Sequence, residues 1–173
     1  MKKLLSILSM SIILISCSPD RVINDELTNQ GTKESPIMYF EGALFNGVGF
    51  EVYENGVLKS ETNYKNGILD GSDKNWDDDG TMESDYNYKN GKENGLQRYW
   101  WEEDVLMAES NYKDGKPDGL AKWWHPNGQL EMEANFKDGV QDGIDKKWDE
   151  NGKLEYSFNW KDGIKQYPPP SKN

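Results

Sequence analysis

Cysteine and histidine are nearly missing from this sequence. Among 173 residues there is one of each, Cys17 and His125. A lone cysteine excludes an intramolecular disulfide, and a lone histidine excludes a His-rich zinc site such as HExxH. Positive charge is scarce: 20 Lys and Arg face 31 Asp and Glu, a net charge of −11. That sign argues against nucleic acid, whose phosphates reward a basic surface. The strongly apolar stretch Leu4 to Ile15 has only 12 residues, and a membrane-spanning helix needs roughly 20. There is no Gly-x-Ser-x-Gly elbow for a nucleophile and no Gly-x-Gly-x-x-G phosphate loop. No catalytic constellation and no cofactor site is therefore expected. Large rings are abundant, with seven Trp in a chain only 35% apolar, which predicts a thin core. The length allows one domain or a repeat array.

The N-terminus reads as a processing signal. Lys2 and Lys3 form a basic start, the 12 apolar-rich residues follow, and then comes Leu14-Ile15-Ser16-Cys17. That ending resembles the lipobox of bacterial lipoproteins. The resemblance implies that residues 1–16 are a signal peptide and that Cys17 becomes the acylated new N-terminus. Several acyl chains hold a protein stably at a membrane, where one gives marginal binding. Ser18 in place of Asp implies outer-membrane sorting in a Gram-negative envelope. Removing residues 1–16 takes two lysines with it and leaves a net charge of −13. Residues 18–36 carry no aromatic and no apolar period, so 17–37 is expected to be a lipidated Cys followed by a flexible tether.

From residue 38 to about 167 the chain repeats with a period of 24. Tyr64-Lys65-Asn66-Gly67 returns as Tyr88-Lys89-Asn90-Gly91, Tyr112-Lys113-Asp114-Gly115, Phe136-Lys137-Asp138-Gly139 and Trp160-Lys161-Asp162-Gly163. Trp76, Trp100, Trp124 and Trp148 keep the same step, as do Asn63, Asn87, Asn111, Asn135 and Asn159. Fourteen of 17 glycines fall in three columns, nearly all after Asn or Asp. Such pairs supply the positive φ of tight turns, so all three columns are read as turns. Between them Gln129 to Phe136 alternates, with Leu130, Met132, Ala134 and Phe136 set against Gln129, Glu131, Glu133 and Asn135. A period of two assigns these sets to opposite faces of a strand. Each unit is thus a β-hairpin, too small to fold alone and stabilised by its neighbours. Five units are counted from residue 40 to 159, with a partial one to about 167. Residues 168–173, starting with Pro168-Pro169-Pro170, form a tail, because proline cannot extend a ladder.

The unit Tyr-Lys-Asp-Gly-Lys-x-Asp-Gly, then Trp, then Asn-Gly-x-Leu, resembles the MORN repeat. It is most similar to the bacterial variant in proteins named as antitoxins of the YwqK type. The resemblance covers about residues 40–166. It implies an all-β fold, an elongated single-layer antiparallel meander of stacked hairpins. It implies protein interaction or membrane-associated scaffolding as function. Two departures stand out: Glu103-Asp104 replaces Asn-Gly, and Val52-Tyr53 stands where later units have Trp.

Within this frame Trp76, Trp100, Trp124 and Trp148 are expected to be core. Trp101 and Trp123 have the opposite parity and, with Tyr99, are the expected exposed binding surface. Lys74, Arg98, Lys122 and Lys146 form one column and Glu61, Asp85, Glu109 and Glu133 another, suited to cross-strand pairing on a solvated face. Asn75 to Gly80 resembles a calcium loop, but Tyr86 occupies the twelfth position where Glu is required, so no metal is assigned. His125, beside Pro126-Asn127-Gly128, is expected to be an exposed turn residue. The leading expectation is a non-catalytic, lipid-anchored envelope protein that binds a protein partner. The alternatives are an antitoxin or immunity factor that neutralises a toxin, and a glycan or cell-wall binder.

Overall fold

The computed structural model describes residues 20–101 and 105–167. The expected signal peptide, Cys17 and the expected 168–173 tail lie outside the described residues. The N-terminal strands are β1 (Arg21–Ile23), β2 (Thr28–Asn29), β3 (Met38–Phe40) and β4 (Ala43–Leu44). The array begins with β5 (Gly47–Val52), β6 (Leu58–Lys65), β7 (Ile68–Trp76) and β8 (Met82–Lys89). It continues through β9 (Lys92–Glu93), β10 (Gly95–Trp100), β11 (Leu106–Lys113) and β12 (Lys116–Trp124). It ends with β13 (Leu130–Lys137), β14 (Val140–Trp148), β15 (Leu154–Lys161) and β16 (Ile164–Gln166). From β5 onward each strand pairs with its neighbours in sequence order, and β9 extends the β10 side of β8. The result is the expected all-β meander. At about 4.8 Å per strand the sheet runs for roughly 50 Å.

Turns alternate between two edges of the sheet. Along one edge lie the two-residue turns Asn66-Gly67, Asn90-Gly91, Asp114-Gly115, Asp138-Gly139 and Asp162-Gly163. Both residues of each have positive φ, near 50° and then 76–93°, as a type I′ hairpin turn demands. Each glycine amide also donates to the previous unit; Gly91 N reaches Leu69 O at 2.8 Å and Gly139 N reaches Pro117 O at 2.9 Å. Along the other edge lie four-residue turns, 53–56, 77–80, 125–128 and 149–152. Their closing glycines bond back to the first carbonyl at 2.8–3.0 Å. The turn containing Glu103-Asp104 lies partly outside the described residues, but its flanks close like the others, Trp101 N to Val105 O at 2.7 Å.

The third glycine column does not turn. Gly71, Gly95, Gly119 and Gly143 lie within or at the start of strands with φ of 103–124°. The ladder slips there by two residues: Thr62 pairs with Asp73 but Tyr64 with Leu69, and Ala134 with Asp145 but Phe136 with Gln141. These are bulges, and they explain the asparagine column. Asn63, Asn111 and Asn135 each donate a side-chain N–H to the carbonyl after the bulged glycine, at 2.9–3.2 Å. Asn87 does the same to Leu96 O. Asn-Gly and Asp-Gly look identical at a turn and at a bulge, which is why the sequence reading took this column for turns.

The closed core is a file of small and polar side chains across the middle of one face. Thr62, Gln97, Ala121, Ala134 and Asp145 are buried in register, with Ser60, Ser84 and Ala108 in the next file. Rings from flanking positions close over them. Tyr86 packs against Tyr88 and edge-on to Tyr99, Phe158 stacks on Tyr156, and Trp160 Nε1 donates to Asp145 Oδ2 at 3.3 Å. The Trp column is not this core. Trp124 pairs with Leu130 while Trp123 pairs with Met132, so a bulge at Glu131 moves Leu130 to the opposite face from Met132, Ala134 and Phe136. The column is half-buried there beside Met82, Leu106 and Leu130.

The tether expected over 17–37 carries regular structure at 21–26 and 28–29. Strand β1 pairs in parallel with β5, Arg21 opposite Val48, and Val22 is 3% exposed. Without β1 the first strand of the array would present an unpaired edge. A 3-10 turn, Asn24–Glu26, then places Asn24 over Gly49, where an added Cβ would clash with Asn24 Oδ1. Strands β2–β4 form a separate small sheet, and Phe45, fully buried, packs between Phe40 and Tyr64. Strands β1 and β2 of the N-terminal cap are therefore built from residues that carry no repeat signal.

Candidate interaction surface

Charge is arranged with unusual regularity on the face away from the buried file. Reading across the strands, Glu61, Lys74, Asp85, Arg98, Glu109, Lys122, Glu133 and Lys146 stand opposite one another in turn. The two charge columns therefore interleave into one ladder of alternating sign. Lys146 Nζ lies 2.9 Å from Glu133, and Glu109 lies between Arg98 at 3.8 Å and Lys122 at 4.0 Å. Arg21 of the N-terminal cap supplies a further step, 3.0 Å from Glu61. Solvent-exposed pairs of this kind contribute at most about 1 kcal/mol each; their larger effect is to fix register, since a one-residue slip would turn charged side chains toward the closed face.

Tyr99, Trp101 and Trp123 are brought to one place. Ala108 pairs with Tyr99 on one side and with Trp123 on the other, so two rings flank an alanine floor. Trp101 stands at the adjoining turn. Together they line a groove of about 330 Å³, completed by Met107, Trp124 and Glu131. Parity correctly separates Trp123 from Trp124, but Trp123 shares its face with the buried file and is half-buried rather than exposed. Trp101 is 39% exposed, and its indole N–H donates to Trp124 O at 3.1 Å. Tyr99 is packed edge-on against Tyr86, and burial, followed by its hydrogen bond with Tyr86, pushes its hydroxyl pKa well up.

The Trp101 bond belongs to a series. Tyr53 Oη donates to Trp76 O at 2.8 Å, and His125 Nε2 lies 3.0 Å from Trp148 O. Each spans one unit, from a turn to the last strand residue before the next turn. His125 is thus a half-buried strut between turns, not the free loop residue expected. Sequence reasoning missed Met107, Ala108, Trp124 and Glu131. The signal that finds them is the pairing register, which aligns positions 99, 108 and 123 across three strands.

Four stretches, 45–66, 93–114, 117–138 and 141–162, match the pattern of the MORN repeat variant. They make up half of the chain. The chain belongs to the MORN repeat variant family. Residues 69–90, between the first two matched MORN stretches, keep the same register and the same turn chemistry. No curated protein matches the chain. Among solved structures, the crystal structure of the GtfA/B complex bound to UDP and GlcNAc is 10% identical. The match covers 77% of this chain and 24% of that one, with a TM-score of 0.27, a likeness that says nothing of function.

Three carboxylates of the MORN array lie on the side of the buried file. Burial raises the pKa of Asp73, opposed by the Thr62 hydroxyl that donates to it at 2.6 Å, and burial raises Glu93 as well. Asp145 accepts from Trp160 through one oxygen while its other oxygen has no partner among the described residues. Tyr88, half-buried near Asp73 and Glu93, has its pKa pushed up to about 12, chiefly by desolvation. None of these carboxylates lines the aromatic groove, whose single charged residue is Glu131.

Proposed function

We propose that this MORN array is a non-catalytic interaction scaffold, held at the bacterial envelope by acyl chains on Cys17, and that its partner is a protein. The observation that carries this reading is the convergence of Tyr99, Trp101 and Trp123 on one open groove in a sheet that otherwise repeats. Contiguous aromatic surface is the usual chemistry of a protein-binding site. The regular ladder and turn-to-turn bonds hold that groove on a stiff support, so binding would cost little ordering.

The test is capture of the full-length tagged chain, with bound proteins, from the envelope of the native cell. A single stoichiometric protein is the expected result. Recovery of none, at a sensitivity that retrieves a control complex, overturns the reading. A captured protein that arrests growth when expressed alone identifies the partner as a toxin and this chain as its antitoxin. Anchoring is tested separately with Cys17→Ser, which should abolish labelled palmitate incorporation and release the chain from membranes. Membrane retention of that variant would exclude the lipid anchor.

A further inference from the structure

The repeat supplies its own controls for the aromatic groove. The file that contains Tyr99 and Trp123 reads, across the paired strands, Glu51, Ser60, Asn75, Ser84, Tyr99, Ala108, Trp123, Met132, Lys147 and Tyr156. At the column of Tyr99 and Trp123 the other units therefore carry Glu51, Asn75 and Lys147. At the column of Trp101 they carry Tyr53, Asp77, His125 and Asp149. The same hairpin, register and turn form in every case. At the column of Tyr99 and Trp123 the fold does not require aromatic rings, so their occurrence in two adjacent units answers to something other than packing.

The groove's shape and charge specify an occupant. Tyr99 and Trp123 are two strands apart, about 9.5 Å at ordinary spacing, and with Ala108 between them they line the groove. A gap of that width admits one flat or narrow group between the two side chains. The lining holds one charge, negative: Glu131, lifted out of the ladder by the bulge between Trp123 and Trp124. Glu131 has no ion pair among the described residues, and no lysine or arginine lines the groove. Trp101's N–H is already committed to Trp124 O. Aromatic faces carry negative potential and attract cations, more strongly where water is excluded. Resting on the scaffold reading above, we infer that the groove takes the cationic side chain of an extended partner segment, an arginine or lysine, between Tyr99 and Trp123 with its charge toward Glu131. The net charge of −11 favours encounter with a basic segment.

The test uses the full-length chain labelled with 5-fluorotryptophan and a short uncharged-flank peptide carrying one central arginine. Its control replaces that arginine by citrulline, which keeps the shape and removes the charge. The arginine peptide should shift the Trp101, Trp123 and Trp124 resonances and leave Trp76 and Trp148 in place. Citrulline should bind about five- to tenfold more weakly, and added salt should weaken only the arginine form. Glu131→Gln should reduce the difference. Trp123→Lys and Tyr99→Asn, which install residues other units already hold at this column, should abolish the shifts with the fold retained. Equal binding of arginine and citrulline peptides, no shift at saturating peptide, or stronger shifts with a neutral chito-oligosaccharide would overturn the inference. The two proposals fail separately. A partner still captured by Trp123→Lys leaves the scaffold and removes this site, whereas peptide binding without a captured partner keeps the site and removes the scaffold.

Discussion

At Gly143 the backbone φ is +124°, and an added Cβ would stand 3.0 Å from the Cβ of Asn135. Both the dihedral and the contact oppose any side chain. Gly143→Ala should destabilise by about 1–2 kcal/mol, lowering Tm by roughly 2–8 °C; an unchanged melting curve would show that the bulge relaxes freely. Asp73 makes a pH prediction. Its folded pKa is raised, so between its ordinary value and its folded value the native state binds more protons than the unfolded one. Stability attributable to Asp73 therefore rises as pH falls from neutral, and Glu93 acts in the same direction. Glu51 and Asp142 have the opposite sign, held low by Lys59 and Lys161, and their contribution disappears at more acidic pH. Asp73→Asn should raise Tm at pH 7.5 and flatten the gain in Tm on acidification toward the ordinary carboxylate range; an unaltered slope would assign it to other carboxylates.

Strand β1 is the element that closes the array's first edge, and Val22 is its buried anchor. Val22→Asp places a charge where nothing pairs with it and should cost about 2–4 kcal/mol. Because units contact only their neighbours, hydrogen exchange should speed up in β5 and β6 while β13 and β14 keep their protection. Uniform loss of protection would mean that the array unfolds as one block. This element also marks where sequence reading stops. The period, the hairpins and two turn columns are legible because Asn-Gly and Asp-Gly meet a local requirement for positive φ. Strand β1 has no such signal: Arg21-Val22-Ile23 is ordered by the open edge of β5, which is a tertiary cause. Leu130 is misplaced by parity for a related reason, since one bulged residue, Glu131, reverses the alternation. Parity separates Trp101 and Trp123 from the Trp column, yet which face is closed depends on small residues such as Ala121 and Ala134, whose burial no pattern of large apolar residues announces.

Across the whole molecule the ladder repeats after two strands. Deleting residues 117–140, one full period, joins Lys116 to Gln141 and returns every later column to its place. The shortened chain should fold cooperatively, with its maximum dimension in solution reduced by about 10 Å. Deleting 117–128, half a period, removes one strand and should give a chain without a native-like transition. If both deletions fold equally well, the register is not what holds the array together. The even number of strands per unit has a genetic counterpart. One added strand would turn every downstream side chain to the wrong face, but an added pair restores both faces and both kinds of turn. A gene that gains or loses a unit through unequal exchange thus yields a foldable protein at once. The distance from the N-terminal cap to the aromatic groove becomes an inherited quantity, counted in whole units.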